Sequence, residues 1–253
     1  MRIVTYNFLG GGSARRSGHW QLLRERFAPD ILLAQECRPP PADHPRAAGL
    51  WTKAVTRGWG TGVYLARGTI QRIRIPGFAR WVVGGQLDRA AWISKRPLRI
   101  FSIHCPSGAD GYVKTMGLIL DRLVEIARGA DLVLGGDFNV AAGFRSSTDS
   151  IRMTRAERQL LDRVADEFAL IPCWQAMHAN LPLAQTLRWG PKPQTPYHCD
   201  GIFVPAAWRP RLESCEVAQG PEWCSLSDHN PVIAILKTQA RYRPEATRPV
   251  IAT

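Results

Sequence analysis

Apolar positions along this chain come in short runs with two different periods. Arg2–Asn7 and Asp30–Gln35 are almost continuously apolar over strand length, the pattern of strands covered on both faces. Between them His19–Phe27 reads as a helix. Val113, Met116, Leu120, Leu123 and Ala127 recur at steps of three and four, which marks one face of a second helix. Thr154 followed three residues later by Glu157 has the form of a capping box and opens a third helix that runs to about Phe168. From Trp51 to His104 the pattern turns to strands, at Gly62–Ala66, Ile70–Ile75, Arg80–Val83, Ala90–Ser94 and Leu98–His104, with glycine and proline between them. Leu132–Leu134, Gly201–Val204, Leu212–Val217 and Val232–Leu236 complete the strand set. This mixture predicts a layered α/β fold. Residues 1–237 read as one domain, and 238–253 as a polar, basic tail broken by Pro244 and Pro249.

Composition narrows the class. With 253 residues, 45% of them apolar, the chain can bury a large core and is no disordered polymer. No apolar run has the roughly 18 residues of a membrane span, and the N-terminal residues lack the features of a secretory signal. Lys and Arg number 33 against 21 Asp and Glu, a net +12. An excess of that size favours a polyanionic partner such as DNA or RNA, because binding releases condensed counterions. A generally basic proteome would give the same sum. Cys37, Cys105, Cys173, Cys199, Cys215 and Cys224 form no C-x-x-C pair, so reduced thiols and a cytoplasmic home are expected. Cys105 and Cys199 flank polar candidates and, by period-two alternation, should face the core.

Polar residues suited to chemistry gather at the ends of the strands. Asn7 ends the first, Glu36 the second, His104 a middle one, and Asp137 with Asn139 the one after the long helix. Asp200 interrupts the apolar run Tyr197–Val204, and Asp228-His229 precedes the last strand. Each alone could be a turn or cap residue, and His104 could be a satisfied core histidine. Side chains at the ends of neighbouring strands, however, converge on one sheet edge. Gly10-Gly11-Gly12 lacks the lysine and spacing of a nucleotide P-loop.

Thr5-Tyr6-Asn7, Gln35-Glu36, Gly135-Gly136-Asp137-Phe138-Asn139 and Ser227-Asp228-His229-Asn230-Pro231 resemble, in order and spacing, the signatures of the endonuclease/exonuclease/phosphatase superfamily, and Ser102-Ile103-His104-Cys105-Pro106-Ser107 resembles the histidine strand end of its deoxyribonuclease I-like members. The Tyr-x-Pro-Asn element of the abasic-site and exonuclease III branch is absent there. The resemblance spans Arg2 to Leu236 and implies a four-layer α/β sandwich, two facing mixed β-sheets flanked by helices, with a divalent-metal phosphoesterase site at one edge.

On that resemblance Asn7, Glu36 and Asp228 are expected to hold the metal, Mg²⁺ or alternatively Mn²⁺, for which hard oxygen ligands are suited. His104, Asp137, Asn139, Asp200 and His229 are expected to be catalytic. Asp200 would fix the tautomer of His229, and Asn139 would donate to a phosphate oxygen. Either Asp137 or His229 could take the proton of the attacking water. The carboxylate that supports the histidine in deoxyribonuclease I has no match near Trp59–Leu65. Arg188, Trp189, Lys192 and Tyr197 mix cations with aromatics and are expected to bind substrate; loop packing is the competing reading. Arg15, Arg16, Arg145 and Arg152 lie in or near loops that follow the strand ends and could contact phosphates, with solvated surface as the default reading for each. The expected function is Mg²⁺-dependent hydrolysis of nucleic acid. The rivals are action on a small or lipid phosphoester and a catalytically silent nucleic-acid binder.

Overall fold

A computed structural model describes residues 1–11, 18–41, 48–88 and 94–238. In chain order these form β1 (Arg2–Asn7), α1 (Gly18–Arg26), β2 (Ile31–Cys37), β3 (Ala48–Lys53), β4 (Gly60–Leu65), β5 (Ile70–Arg72), β6 (Val82–Leu87) and β7 (Leu98–His104). There follow α2 (Gly111–Ala127), β8 (Asp131–Asp137), α3 (Arg155–Phe168), β9 (Leu170–Pro172), α4 (Cys173–Met177), β10 (Asp200–Pro205), β11 (Leu212–Val217), α5 (Pro221–Cys224) and β12 (Val232–Leu236). A 3-10 turn at Ala206–Arg211 joins β10 to β11.

The strands make two sheets of six, β11-β12-β1-β2-β4-β3 (sheet I) and β5-β6-β7-β8-β10-β9 (sheet II). Each sheet is antiparallel except for one central parallel pair, β1 with β2 in sheet I and β7 with β8 in sheet II. Each parallel pair is bridged by a helix, α1 or α2, as a parallel connection requires. Alternation along the strands sorts the side chains into three apolar layers. Ile3, Leu33, Ile100, Val133, Ile202 and Val232 meet between the sheets. Val4, Tyr6, Leu32 and Ala34 face the other way, onto Trp20 and Leu23 of α1 and Trp223 of α5. Phe101, Ile103, Leu132, Leu134 and Phe203 face Met116, Ile119 and Leu120 of α2 and Leu160, Leu161 and Val164 of α3. The result is the four-layer α/β sandwich that the family resemblance implied.

The capping box is formed: Glu157 N donates to Thr154 Oγ1 and Thr154 N to Glu157 Oε2. β3 escaped the sequence reading because Ala-Gly-Leu-Trp-Thr-Lys lies on a sheet edge, half-exposed on both faces, so no alternation marks it. β6 runs four residues further than expected, through Gly84-Gly85. A Cβ on either glycine would sit 1.9 Å from a neighbouring strand's carbonyl oxygen, so the turn-like residues are close-approach residues inside the sheet. β9, α4 and α5 are too short for periodicity to reveal. The strand expected at Ala90–Ser94, Arg15, Arg16 and the tail beyond residue 238 lie outside the described residues, apart from Ser94.

Candidate active site

Strand parity carries most of the polar candidates to one place. Ile3, Thr5 and Asn7 share the inner face of β1; Ile100, Ser102 and His104 that of β7; Val133 and Asp137 that of β8; Ile202 and Asp200 that of β10. Asp137 pairs with His104 across the parallel ladder and with Asp200 across the antiparallel one. Glu36 is the exception. Period two would put it on the α1 side, since Ala34 and Cys37 both pack there. A register shift between Ala34 and Cys37, with Glu36 at φ 46°, inserts an extra residue and swings the carboxylate inward. A left-handed backbone at a non-glycine residue is strained, and such strain clusters at functional sites. Asn139, at φ 52°, is a second instance beside it.

Asp200 Oδ2 lies 2.8 Å from His229 Nδ1, and His229 Nε2 lies 3.8 Å from Asp137 Oδ2. Asp137 also accepts from Asn7 Nδ2 at 3.0 Å and from the Asn139 backbone N–H at 3.0 Å. Asn139 Nδ2 donates to Cys105 O at 3.0 Å. Ser227 Oγ donates to Asn7 O and accepts from His229 N, which pins the Ser-Asp-His loop to the end of β1. Thr186 Oγ1 takes the backbone N–H groups of Cys199 and Asp200. His104 Nε2 is 3.6 Å from Glu36 Oε1. Among the described residues no carboxylate supports its other nitrogen; instead Trp59 and Trp81 bracket the ring, each with its centroid 5.4 Å away.

Crowded, buried carboxylates set the electrostatics. Burial raises the pKa of Glu36, with Asp137 and Asp228 adding to it and His229 opposing. Burial and then Asp200 raise that of Asp137. Burial lowers that of His104, which favours the neutral imidazole. Burial would also lower that of His229, but Asp200 and Asp137 outweigh it and push it up to about 10. The two aspartates on either side of His229 thus favour its protonated form. Asp200 Oδ1 and Asp228 Oδ1 are buried without a hydrogen-bond donor, which is where a cation's charge would be most stabilising. Among the described residues one cluster of three or more His, Cys, Asp or Glu groups could hold one. Asp137, Cys199, Asp200 and His229 offer ligand atoms within 4.8 Å of one another. In that set the Cys199 thiol is held well above its ordinary pKa by burial, and the imidazole is bonded to Asp200. Glu36 and Asp228, which interact electrostatically, offer only oxygen ligands, the kind that suits Mg²⁺ better.

A family model described as "Endonuclease/Exonuclease/phosphatase family" matches residues 4–229. The chain belongs to this family. It is accordingly a hydrolase acting on phosphoesters. No curated protein sequence matches it significantly. Among solved structures, a Neisseria 3' phosphatase, NExo, bound to a product DNA hairpin superposes with TM-score 0.68 at 19% identity, covering 94% of this chain and 99% of that one. The 3'-5' exonuclease NExo from Neisseria meningitidis gives 0.65 at 20% identity, over 93% and 99%. An AP endonuclease from Archaeoglobus fulgidus gives 0.68 at 16% identity, over 93% and 99%. At such identities these likenesses establish the fold, and the residues must argue the chemistry.

The cleft extends beyond the clustered carboxylates and histidines. Beside Asn139 opens a pocket of about 410 Å³ lined by Tyr112, Arg145, Leu187, Trp189, Tyr197 and Cys199 among others. Trp189 is exposed and meets Tyr197 edge-on at 6.1 Å. Lys192 is exposed on the same loop, its N–H bonded to Trp189 O. Arg188, expected to meet substrate, is engaged internally: its guanidinium donates to Asn230 Oδ1, to Ser227 O at 2.6 Å and to His229 O at 3.3 Å. It holds the loop that carries Asp228 and His229. Asn7, expected as an oxygen ligand, turns its amide nitrogen to Asp137, and its Oδ1 accepts from Leu9 N. Cys105 packs in the α2 layer as expected. Cys199 does not behave as simple core, because its thiol is 3.6 Å from Asp200 Oδ2 and lines the pocket. Arg145 is buried and donates to Pro196 O. Trp59, Trp81, Thr186 and Cys199 were not foreseen as site residues. Only Thr186, in a Thr-Leu-Arg-Trp run, had a local signal.

Proposed function

We propose that this phosphoesterase is a Mg²⁺-dependent phosphodiesterase that hydrolyses nucleic acid, with Mn²⁺ as an alternative ion. The observation that carries the reading is His229, poised between Asp200 and Asp137 in a cleft that also holds Glu36 and a buried Asp228 oxygen with no hydrogen-bond donor among the described residues. Glu36 and Asp228 would hold the ion, with Asn7 as the neutral donor that keeps Glu36 and Asp137 in place. A divalent cation there supplies Lewis-acid stabilisation of charge on the phosphoryl oxygens. Asp137, fixed by Asn7 and the Asn139 N–H, orients the attacking water and takes its proton. We assign this step to Asp137 because the Asn7 amide and the Asn139 N–H hold its carboxylate in one orientation, while Asp200 and Asp137 favour a protonated His229. The His229 imidazolium, kept in one orientation by Asp200, faces the charge developing at phosphorus. His104 stands on the Glu36 side, and Asn139 on the pocket side, as donors to non-bridging oxygens. Trp189, Lys192 and Tyr197 form the wall along which bases stack; Arg188 acts by positioning the Asp228–His229 loop.

No helix among the described residues is long and apolar enough to cross a membrane. All six cysteines are free thiols, and we assign the protein to the reducing cytoplasm on that ground. The direct test is incubation of purified protein with single- and double-stranded DNA and RNA, each with Mg²⁺, Mn²⁺ or EDTA. Cleavage of a polynucleotide that EDTA abolishes is expected. Hydrolysis of a small chromogenic phosphoester with every polynucleotide left intact would refute the nucleic-acid assignment.

A further inference from the structure

The two lateral edges of the sandwich differ in charge. Residues 48–87, which build β3 to β6, carry Lys53, Arg57, Arg67, Arg72, Arg74 and Arg80 and no acidic residue at all. Residues 200–237, at the opposite edge, carry Asp200, Glu213, Glu216, Glu222 and Asp228 against Arg209, Arg211 and Lys237. β3 packs against β5 and β6, so the cationic segments of both sheets form one surface. Arg72 donates to Thr52 Oγ1 and Trp51 O, and Arg80 to Lys53 O, which ties the two sheets together along it. Arg38 joins from the end of β2, where Gly58 leaves its guanidinium room.

This surface leads directly out of the catalytic cleft. Trp59 and Trp81 touch His104 with one side of the bracket. Their chain neighbours Gly58 and Arg80 already belong to the cationic edge. Both tryptophans are partly exposed, and Arg38, Lys53, Arg57, Arg74 and Arg80 are exposed. Among the described residues none of these five cations has a carboxylate within ion-pair distance. On the helical faces cations and carboxylates are interspersed, and several pair: Lys114 with Asp110, Arg128 with Glu125, Arg163 with Asp121 and Glu167. Like charges left unneutralised repel one another and disfavour the compact state. A merely solvated face would mix both signs.

We infer that the β3–β6 edge is a second binding track, on the His104 side of the reacting phosphate, for a single-stranded nucleic-acid segment whose phosphates lie along Arg38, Lys53, Arg57 and Arg80 and whose unpaired base stacks at Trp59 and Trp81. Stacking with interleaved cations is the recognition mode of unpaired strands. The track rests on the nucleic-acid reading above and extends it beyond the 185–197 loop, which lies on the other side of the cleft.

The test is anisotropy of a fluorescein-labelled 20-nucleotide single strand with the full chain in EDTA, over a salt series. Each phosphate contact on a single strand contributes about 0.7 to the slope of log K against log salt. The variant combining Arg38→Gln, Lys53→Gln, Arg57→Gln and Arg80→Gln should therefore flatten the slope by about 2 to 3. A charge-matched variant on the helical faces, with Arg24→Gln, Lys114→Gln, Arg122→Gln and Arg128→Gln, should leave it as in the parent. Equal slopes in the two variants would overturn the track, and so would tighter binding of a blunt duplex with the same loss. A parent protein that hydrolyses bis(p-nitrophenyl) phosphate but neither binds nor cuts any oligonucleotide would instead overturn the nucleic-acid reading itself. Oligonucleotide cleavage with an unaltered slope would sink the track alone.

Discussion

Sheet I and sheet II are built to one plan, six strands around a single helix-bridged parallel pair, yet they deliver their functional residues differently. In sheet II the pair β7 and β8 ends in His104 and Asp137, and both arrive by simple alternation from an apolar core. In sheet I the pair β1 and β2 ends in Asn7 and Glu36, and Glu36 arrives only through a bulge and a left-handed backbone. Two chemical assignments follow the same division. Sheet II, with Asp200 from β10, supplies the groups proposed to handle protons. Sheet I supplies the carboxylate proposed to hold the cation. A regular ladder gives rigid, parity-fixed placement, whereas a bulge can aim one side chain against the register at a cost in strain.

The largest effects should separate these two contributions. Asp137→Asn on sheet II should cut turnover by roughly 10²- to 10⁴-fold, the span of a general base, and added Mg²⁺ should restore nothing. Glu36→Gln on sheet I should also collapse activity at limiting Mg²⁺, but recover in part as the ion is raised. Even supporting residues of a metal site cost about 10- to 100-fold in metal affinity, so Glu36→Gln should lose at least that. Steady-state rates across a Mg²⁺ titration distinguish them. Identical titration curves for the two variants would erase the division of labour.

A double-variant cycle probes the contact where the two sheets meet, Asp200 from β10 of sheet II against His229 from the loop before β12 of sheet I. His229→Ala removes the imidazolium, and Asp200→Asn removes the carboxylate that orients it, so the two act as one unit. The double variant should be little worse than His229→Ala alone. Metal affinity should move much less than turnover in both. Losses that multiply independently would disprove the pairing, and His229 would then serve as a ligand or a structural residue.

The smallest effect is on stability. His198 precedes β10, is fully buried, and donates through Nδ1 to Ala184 O at 2.6 Å. Burial lowers its pKa from 6.5 to about 4. The unfolded chain therefore binds more protons between those values, and this histidine's contribution to stability is lost as pH falls from 6.5 towards 4. The linkage amounts to about 3 kcal/mol at most. Denaturant unfolding of the parent and His198→Asn, compared at pH 7 and pH 4.5, should show the variant with the shallower acid loss. Parallel pH dependences would assign the acid sensitivity to the carboxylates at the strand ends.

Much of this architecture was legible in the residues. The two β-α-β units, the α3 capping box and the inward parity of Asn7, His104, Asp137 and Asp200 follow from local period and capping, which depend only on near neighbours in the chain. The family motifs likewise lie in contiguous runs. The tertiary structure alone decided the rest. Nothing adjacent in sequence announces that Glu36 lies on a bulge, because a register shift exists only relative to β4. The glycines of β6 look like turn residues until the carbonyls of β5 and β7 are seen to leave no space for a Cβ. Arg188 reads as a free cation until the carbonyls of the Ser227–Asn230 loop close around it. The support of His104 by Trp59 and Trp81 joins three residues from separate strand ends. Sequence period determines which face a side chain takes along its own strand; which residues from other strands meet it there is settled only when the two sheets pack.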